Sequence, residues 1–143
     1  MMSDMMIANQ EVENEYIEDE TEIPQPEFCK FLKCHTGTIS MTAFNSNNKQ
    51  LISSSYDGTI IIWDLLNLKK PHIGRGHTSQ INDLAISPSG FYIATASSDK
   101  TVRIWENQND FSSKGDIKST AIKHHTAPVK SVDFSCDSRL ICS

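Results

Sequence analysis

A self-match at an offset of 42 residues restricts this chain more than any other feature: it aligns His35 with His77, Asp57 with Asp99 and Trp63 with Trp105 without a gap. The apolar frame keeps the same register, with Ile39 on Ile81, Phe44 on Ile86, Leu51 on Tyr92 or Ile93, Ile60 on Val102 and Ile62 on Ile104. Such a period marks one supersecondary unit, repeated so that neighbouring copies cover each other's apolar faces. A third copy opens at His125, after a linker six residues longer, and runs through Val129, Val132 and Phe134 to Leu140. In this register Ser143 answers to Ser53 and Thr95, and the next Asp and Trp would fall four and ten residues past it. The third unit is therefore expected to lack half its strands, and the chain reads as a fragment.

Inside each unit the apolar runs are short and rich in β-branched residues. They are separated by turn chemistry at Ser46-Asn47-Asn48, Asp57-Gly58, Ser87-Pro88-Ser89-Gly90, Ser98-Asp99-Lys100 and Cys136-Asp137-Ser138. That pattern predicts an all-β meander with strands near 39–44, 50–55, 59–63, 81–86, 91–97, 101–105 and 129–134, and weaker ones near 30–34, 69–74 and 119–123. Ile60-Ile61-Ile62-Trp63 is apolar on both faces, as suits a strand covered from two sides. Expressed alone, the chain is expected to self-associate through Thr59-Ile60-Ile61-Ile62-Trp63 and its open strand edges.

Charge divides the chain in two. Residues 1–27 carry Asp4, Glu11, Glu13, Glu15, Glu18, Asp19, Glu20, Glu22 and Glu27 with no Lys, Arg or His; the remaining nine acids against thirteen Lys and Arg leave residues 28–143 at +4. A segment so charged buries too little apolar surface to offset its ordering entropy, so 1–27 is expected to be a disordered acidic tail, a solubilising leader or a docking tail for a basic partner. Asp4 interrupts the first Met residues, no basic n-region precedes them, and no apolar run reaches the roughly 18 residues of a membrane span. Neither a signal peptide nor a membrane partner is expected. Cys29, Cys34, Cys136 and Cys142 form no CxxC pair, and no Asn-x-Ser/Thr acceptor occurs, a combination that fits a reducing intracellular compartment.

Recurring His, Ser, Asp and Trp invite comparison with a hydrolytic triad. A catalytic site needs one converging set, however, and here His35, Ser53 or Ser55, Asp57 and Trp63 return as His77, Thr95 or Ser97, Asp99 and Trp105. The groups suit an internal chain of hydrogen bonds: the indole donates, the hydroxyl accepts and passes on, and the imidazole reaches the carboxylate. His125 would open a third set. No enzymatic activity is expected, and loss of turnover in a well-folded His77→Ala protein would be the sign of a hydrolase.

Gly76-His77 followed by Ser97-Ser98-Asp99-Lys100-Thr101-Val102-Arg103-Ile104-Trp105 resembles a WD40 repeat. Tyr56-Asp57-Gly58-Thr59-Ile60-Ile61-Ile62-Trp63-Asp64 repeats the likeness with the Trp-Asp pair that names the family. Cys34 and His124 stand where the family usually has Gly before its His, and Glu106 replaces the Asp after Trp105. The resemblance implies a WD40 β-propeller fragment of about two and a half four-stranded blades over residues 28–143, with units near 30–70, 71–118 and 119–143. Closer cues are Phe31-Leu32-Lys33-Cys34-His35, Asn48-Lys49-Gln50-Leu51, Ser87-Pro88-Ser89-Gly90, Asp99 through Trp105, and His125 through Phe134. They are similar to the "proteome of centriole" WD40 proteins of centrioles and basal bodies.

By that resemblance the chain would be a cytoplasmic and cytoskeletal scaffold, joining centriolar or microtubule-associated proteins and supporting centriole stability and cilium assembly. The alternative is a general WD40 adaptor subunit of a ubiquitin-ligase, RNA-processing or chromatin complex. Contacts would come from Thr38, Ser40 and Tyr56, then Gln80, Asn82 and Ser98, then Pro128 and Lys130. Tyr56 is either an exposed aromatic anchor or packing for a neighbouring loop.

Other chemistry finds little footing. Cys29, Cys34 and His35 lack zinc-pair spacing, and the adjacent His124 and His125 would point opposite ways on a strand. The six Gly form no phosphate-cradling loop, and the Lys and Arg are too dispersed for a nucleic-acid module. Neither a cofactor, a metal nor a nucleic-acid partner is expected.

Overall fold

The stretches after His35 and after His77 each fold as one antiparallel four-stranded sheet, because their apolar runs are strand-length and the links between them are turn-length. The computed structural model describes residues 5–8, 29–68, 71–107 and 117–143. After β1 (Met5–Ala8) and β2 (Cys29–Leu32), the first sheet comprises β3 (Ile39–Phe44), β4 (Gln50–Ser55), β5 (Thr59–Asp64) and β6 (His72–Arg75). The second comprises β7 (Ile81–Ile86), β8 (Tyr92–Ser97), β9 (Val102–Glu106) and β10 (Ser119–Ile122). In each sheet the strands lie in chain order. A two-stranded hairpin of β11 (Asp133–Phe134) and β12 (Ile141–Cys142) follows. Among the described residues there is no helix.

One turn recurs three times. The backbone N–H of Asn45, Ser87 and Ser135 donates to the carbonyl of Gln50, Tyr92 and Leu140 respectively, and Asn48, Gly90 and Ser138 each take a positive φ of 54°, 76° and 62°. Asn and Gly tolerate that left-handed conformation better than branched residues, which is why the turn chemistry was readable. The inner strand of each full sheet also carries a register shift, between Ile39 and Met41 in β3 and between Ile81 and Asp83 in β7. Ser40 and Asn82 are thereby the extra residues of two equivalent bulges, which re-aim their side chains.

Strand alternation distributes the core. Ile60 and Ile62 on β5 join Ile52, Ile81, Leu84, Ile93 and Trp105 in a buried cluster between the two sheets. Ile61 and Trp63 turn the other way, onto Leu32 and Leu51. The run Ile60 to Trp63 is buried on both faces as its composition predicts. Full burial of each such isoleucine contributes about 1.5–3 kcal/mol. A third cluster packs Ala94, Ala96 and Val102 of the second sheet on Val129 and Val132.

Three expectations need correction. The tail was expected to be disordered over 1–27, yet Met5–Ala8 pairs antiparallel with Cys29–Leu32. This is the tail's uncharged stretch between Asp4 and Glu11, and β2 offers an edge of backbone donors and acceptors. Residues 1–4 and 9–28 lie outside the described residues. The strand expected at 129–134 is only Asp133–Phe134. Val129 N–H instead donates to the Ser97 carbonyl, and Val132 N–H to Asp83 Oδ2, so this backbone is committed to the second sheet. Finally, Thr59 through Trp63 is covered, so the apolar surface open to a second copy is elsewhere, as at Leu140, 70% exposed, and Ile141.

Candidate functional site

The repeated polar residues meet in two equivalent sets. In the first sheet Trp63 Nε1–H donates to Ser53 Oγ at 3.1 Å, Ser53 Oγ lies 2.8 Å from His35 Nε2, and His35 Nδ1 lies 3.1 Å from Asp57 Oδ2. In the second, Trp105 Nε1–H donates to Thr95 Oγ1 at 2.9 Å, and His77 bridges Thr95 Oγ1 and Asp99 Oδ2 at 2.7 Å each. A neutral imidazole protonated on Nδ1 satisfies every member, since the hydroxyl then accepts from indole and donates to Nε2. The sets tie the loop entering each sheet to the turn between its second and third strands. Thr36 N–H and Thr78 N–H also donate to Asp57 and Asp99.

The electrostatics agree with that protonation state. Burial lowers the His35 and His77 pKa values below 6.5, against the opposing pull of Asp57 and Asp99. Burial disfavours ionised Asp57, but hydrogen bonds from Thr59 and Thr36, with the nearby His35, hold its carboxyl down to about 2. Asp99 sits well below the usual carboxylate range: burial opposes its charge too, but the Thr101, His77 and Thr78 bonds outweigh it. Each carboxylate accepts from its turn threonine twice, from the backbone N–H at 2.9 Å and the hydroxyl at 2.6 Å.

Ser55 and Ser97 were candidates for the hydroxyl and do not hold that place. They sit where the second strand enters the turn, and each accepts the N–H two residues on, from Asp57 and Asp99 at 3.1 Å. Such local side-chain to backbone bonds are favoured at turns. Ser53 and Thr95 lie further back in the sheet, within reach of the indole. His125 joins no complete set: its Nε2 lies 2.8 Å from Ser143 Oγ, at the same eighteen-residue separation as the other two pairs. The sequence ends before the positions homologous to Asp99 and Trp105.

The residues expected to meet partners are variously placed. Thr38, Tyr56, Pro128 and Lys130 are exposed, Tyr56 at 49%. Ser40, Gln80, Asn82 and Ser98 are half-buried. Ser40 Oγ lies 2.9 Å from Ser54 Oγ, while Asn82 donates to Ser98 Oγ at 3.0 Å and to the Val129 carbonyl at 2.7 Å. The bulge residue of the second sheet thus also holds the third unit.

A second polar cluster escaped sequence reasoning. Asn45 and Asn107 each donate to Gln50 Oε1, at 2.7 and 2.8 Å, and Asn107 donates to the Gly90 carbonyl at 2.8 Å. All three side chains are buried. Only the presence of Gln50 at the start of an apolar strand hinted at it. Among the described residues no three His, Cys, Asp or Glu gather as metal ligands.

Sequential four-stranded antiparallel sheets, packed face to face and pinned by duplicated internal networks, define a repeat protein of the β-propeller class. The family model for the WD domain, G-beta repeat, matches residues 26–64, 69–106 and 116–143, so the chain belongs to the WD40 repeat family. It is 34% identical over 102 residues to "Transcriptional corepressor LEUNIG_HOMOLOG" of Arabidopsis thaliana, covering 71% of this chain and 12% of that protein. It is 35% identical over 83 residues to "Small ribosomal subunit protein RACK1" of Neurospora crassa, 54% of this chain and 26% of that one. "Cell division control protein 4" of Saccharomyces cerevisiae is 32% identical over 84 residues, 59% of this chain and 10% of that one. Among solved structures, "Structure of U3-55K" superposes with a TM-score of 0.62 at 25% identity, covering 72% of this chain and 32% of that one. The chain thus spans about a quarter or less of the length of these three relatives.

Proposed function

We propose that residues 28–143 serve as a non-catalytic protein-docking scaffold, behind an acidic leader at 1–27. The observation that carries this reading is the duplication of one fully engaged network. Each histidine spends both ring nitrogens on internal partners, so neither is left to move a proton on a substrate. What the network holds still is a loop face, presenting Thr38, Tyr56, Pro128 and Lys130 to solvent with Ser40, Gln80, Asn82 and Ser98 behind them. Exposed Tyr56 is its aromatic anchor, a residue type enriched at binding hot spots. Proximity labelling in cells, comparing the wild type with Tyr56→Ala and Lys130→Glu at equal abundance, tests the reading. Loss of a defined set of neighbouring proteins from both variants is the expected result; an unchanged set would contradict it.

The narrower reading places the scaffold in the cytoplasm and cytoskeleton, at the centriole or basal body, with centriolar or microtubule-associated partners. It is supported by the local cues between Phe31 and Phe134. The three relatives carry the names of a corepressor, a ribosomal subunit protein and a cell division control protein, which favours a general adaptor as the second reading. A tagged copy concentrated at centrioles supports the first, and a diffuse or nuclear signal without centriolar foci supports the second.

A further inference from the structure

The turn between the second and third strands differs in one respect between the two sheets. The first has Gly58 at a φ of 79°, whereas the second has Lys100 at 69°. Glycine adopts this left-handed backbone freely and a lysine only at a cost, so a lysine held there points to a use for its side chain. Lys100 lines a cleft of about 360 Å³ together with Arg103, Lys123 and His125. The repeat alone does not require this gathering. Where Lys100, Arg103 and Lys123 stand, the first unit has Gly58, Ile61 and Arg75.

The charges in the cleft are not answered from within. Asp99, which also lines it, has Oδ1 taken by Thr101 and Oδ2 by His77 and Thr78. Among the described residues Lys100 and Lys123 enter no ion pair. Arg103 Nη1 donates to Ser119 Oγ at 2.9 Å, but its Nε is buried without an acceptor. Its guanidinium lies 6.0 Å from the Trp105 ring centroid and packs against Gly76 in this position. A Cβ there would lie 2.6 Å from Nη1 and 3.1 Å from Nε. A guanidinium lining the same cleft as two ammonium groups that enter no ion pair among the described residues is suited to a doubly charged oxyanion.

We propose that this cleft binds a phosphate monoester, held by the charges of Arg103, Lys100 and Lys123. On an open rim of the sheet, the source that fits is a phosphorylated side chain of a protein; free phosphate is the other source of the same chemistry. The test titrates the full chain with N-acetyl phosphothreonine amide, its unphosphorylated analogue and inorganic phosphate, following the amide signals of residues 76–78, 99–103 and 123–125 by NMR. Both phosphate compounds are expected to shift these signals, less so at high salt, and the unphosphorylated amide to leave them in place. Lys100→Gly and Lys123→Gln should each weaken binding on the order of tenfold. Lys100→Gly should also melt at an equal or higher temperature, because it relieves the left-handed lysine, so its lost binding cannot be put down to misfolding. Phosphothreonine amide binding more tightly than inorganic phosphate identifies the protein-borne source, and the reverse order overturns that part. No binding of either compound at millimolar concentration, or binding unchanged in both variants, overturns the proposal. These probes are small, so the outcome is separate from whether the loop face docks a protein.

Discussion

His77 and His125 each contact the hydroxyl eighteen residues further on, at 2.7 and 2.8 Å, but only His77 goes on to a carboxylate and sits beside an indole that shares its hydroxyl. Around His77 the inner strand runs six residues and the hydroxyl is fully buried; around His125 the inner strand is two residues long and Ser143 is exposed. The difference teaches that the histidine to hydroxyl contact needs only the first two strands. Strand length and burial arrive with the third strand, which brings both the carboxylate turn and the tryptophan. What order the third unit has is borrowed from the second, through Val129, Val132 and the Asp83 carboxylate.

This contrast ranks the expected losses of stability. Trp105→Ala removes the largest fully buried side chain and the indole donor, and should cost about 3–5 kcal/mol in urea unfolding. His77→Ala strands the Asp99 and Thr95 groups it joins and should cost about 1–3 kcal/mol. His125→Ala, by contrast, should stay within about 0.5 kcal/mol, as surface changes do. Equal losses from His77→Ala and His125→Ala would break the comparison.

Acid should act in the same order. The folded pKa values of His35 and His77 lie below 6.5, so the unfolded chain takes up those protons first and stability falls as pH drops through that value. A second loss follows as pH falls from 3.8 toward about 2, where folded Asp57 at last protonates. Melting temperature followed from neutral pH to about 3 should decline through both windows. His77→Gln should shrink the first to the share that His35 keeps, and an unchanged first window would mean that the His77 imidazole is not held neutral. The smallest effect is expected for Leu140→Ser. At 70% exposure it should leave the melting temperature almost unmoved while reducing self-association in analytical ultracentrifugation.

Much of this was legible in the residues. Strands 39–44, 50–55 and 81–86 appear with the bounds that alternation and turn residues set, because there the period-two pattern and the hairpin chemistry agree. The members of the two networks were legible from repetition alone, but the choice of Ser53 over Ser55 was not. Both point to one face of a strand, and only the three-dimensional reach of the indole separates them. The amide cluster of Asn45, Gln50 and Asn107 was hidden by the separation of 57 positions from Gln50 to Asn107. Val129 to Val132 misled for a related reason: an apolar pattern does not reveal that the backbone has found its partners in another sheet.

The central claim is that two indole N–H groups are internal donors to buried hydroxyls, one in each complete sheet. Hydrogen exchange of the two tryptophan Nε1 protons, read by NMR on the folded chain, tests it most directly. Both protons should exchange only on unfolding, at rates near those of the most protected amides in β4 and β8. Exchange of either at the rate of a free indole would contradict the account.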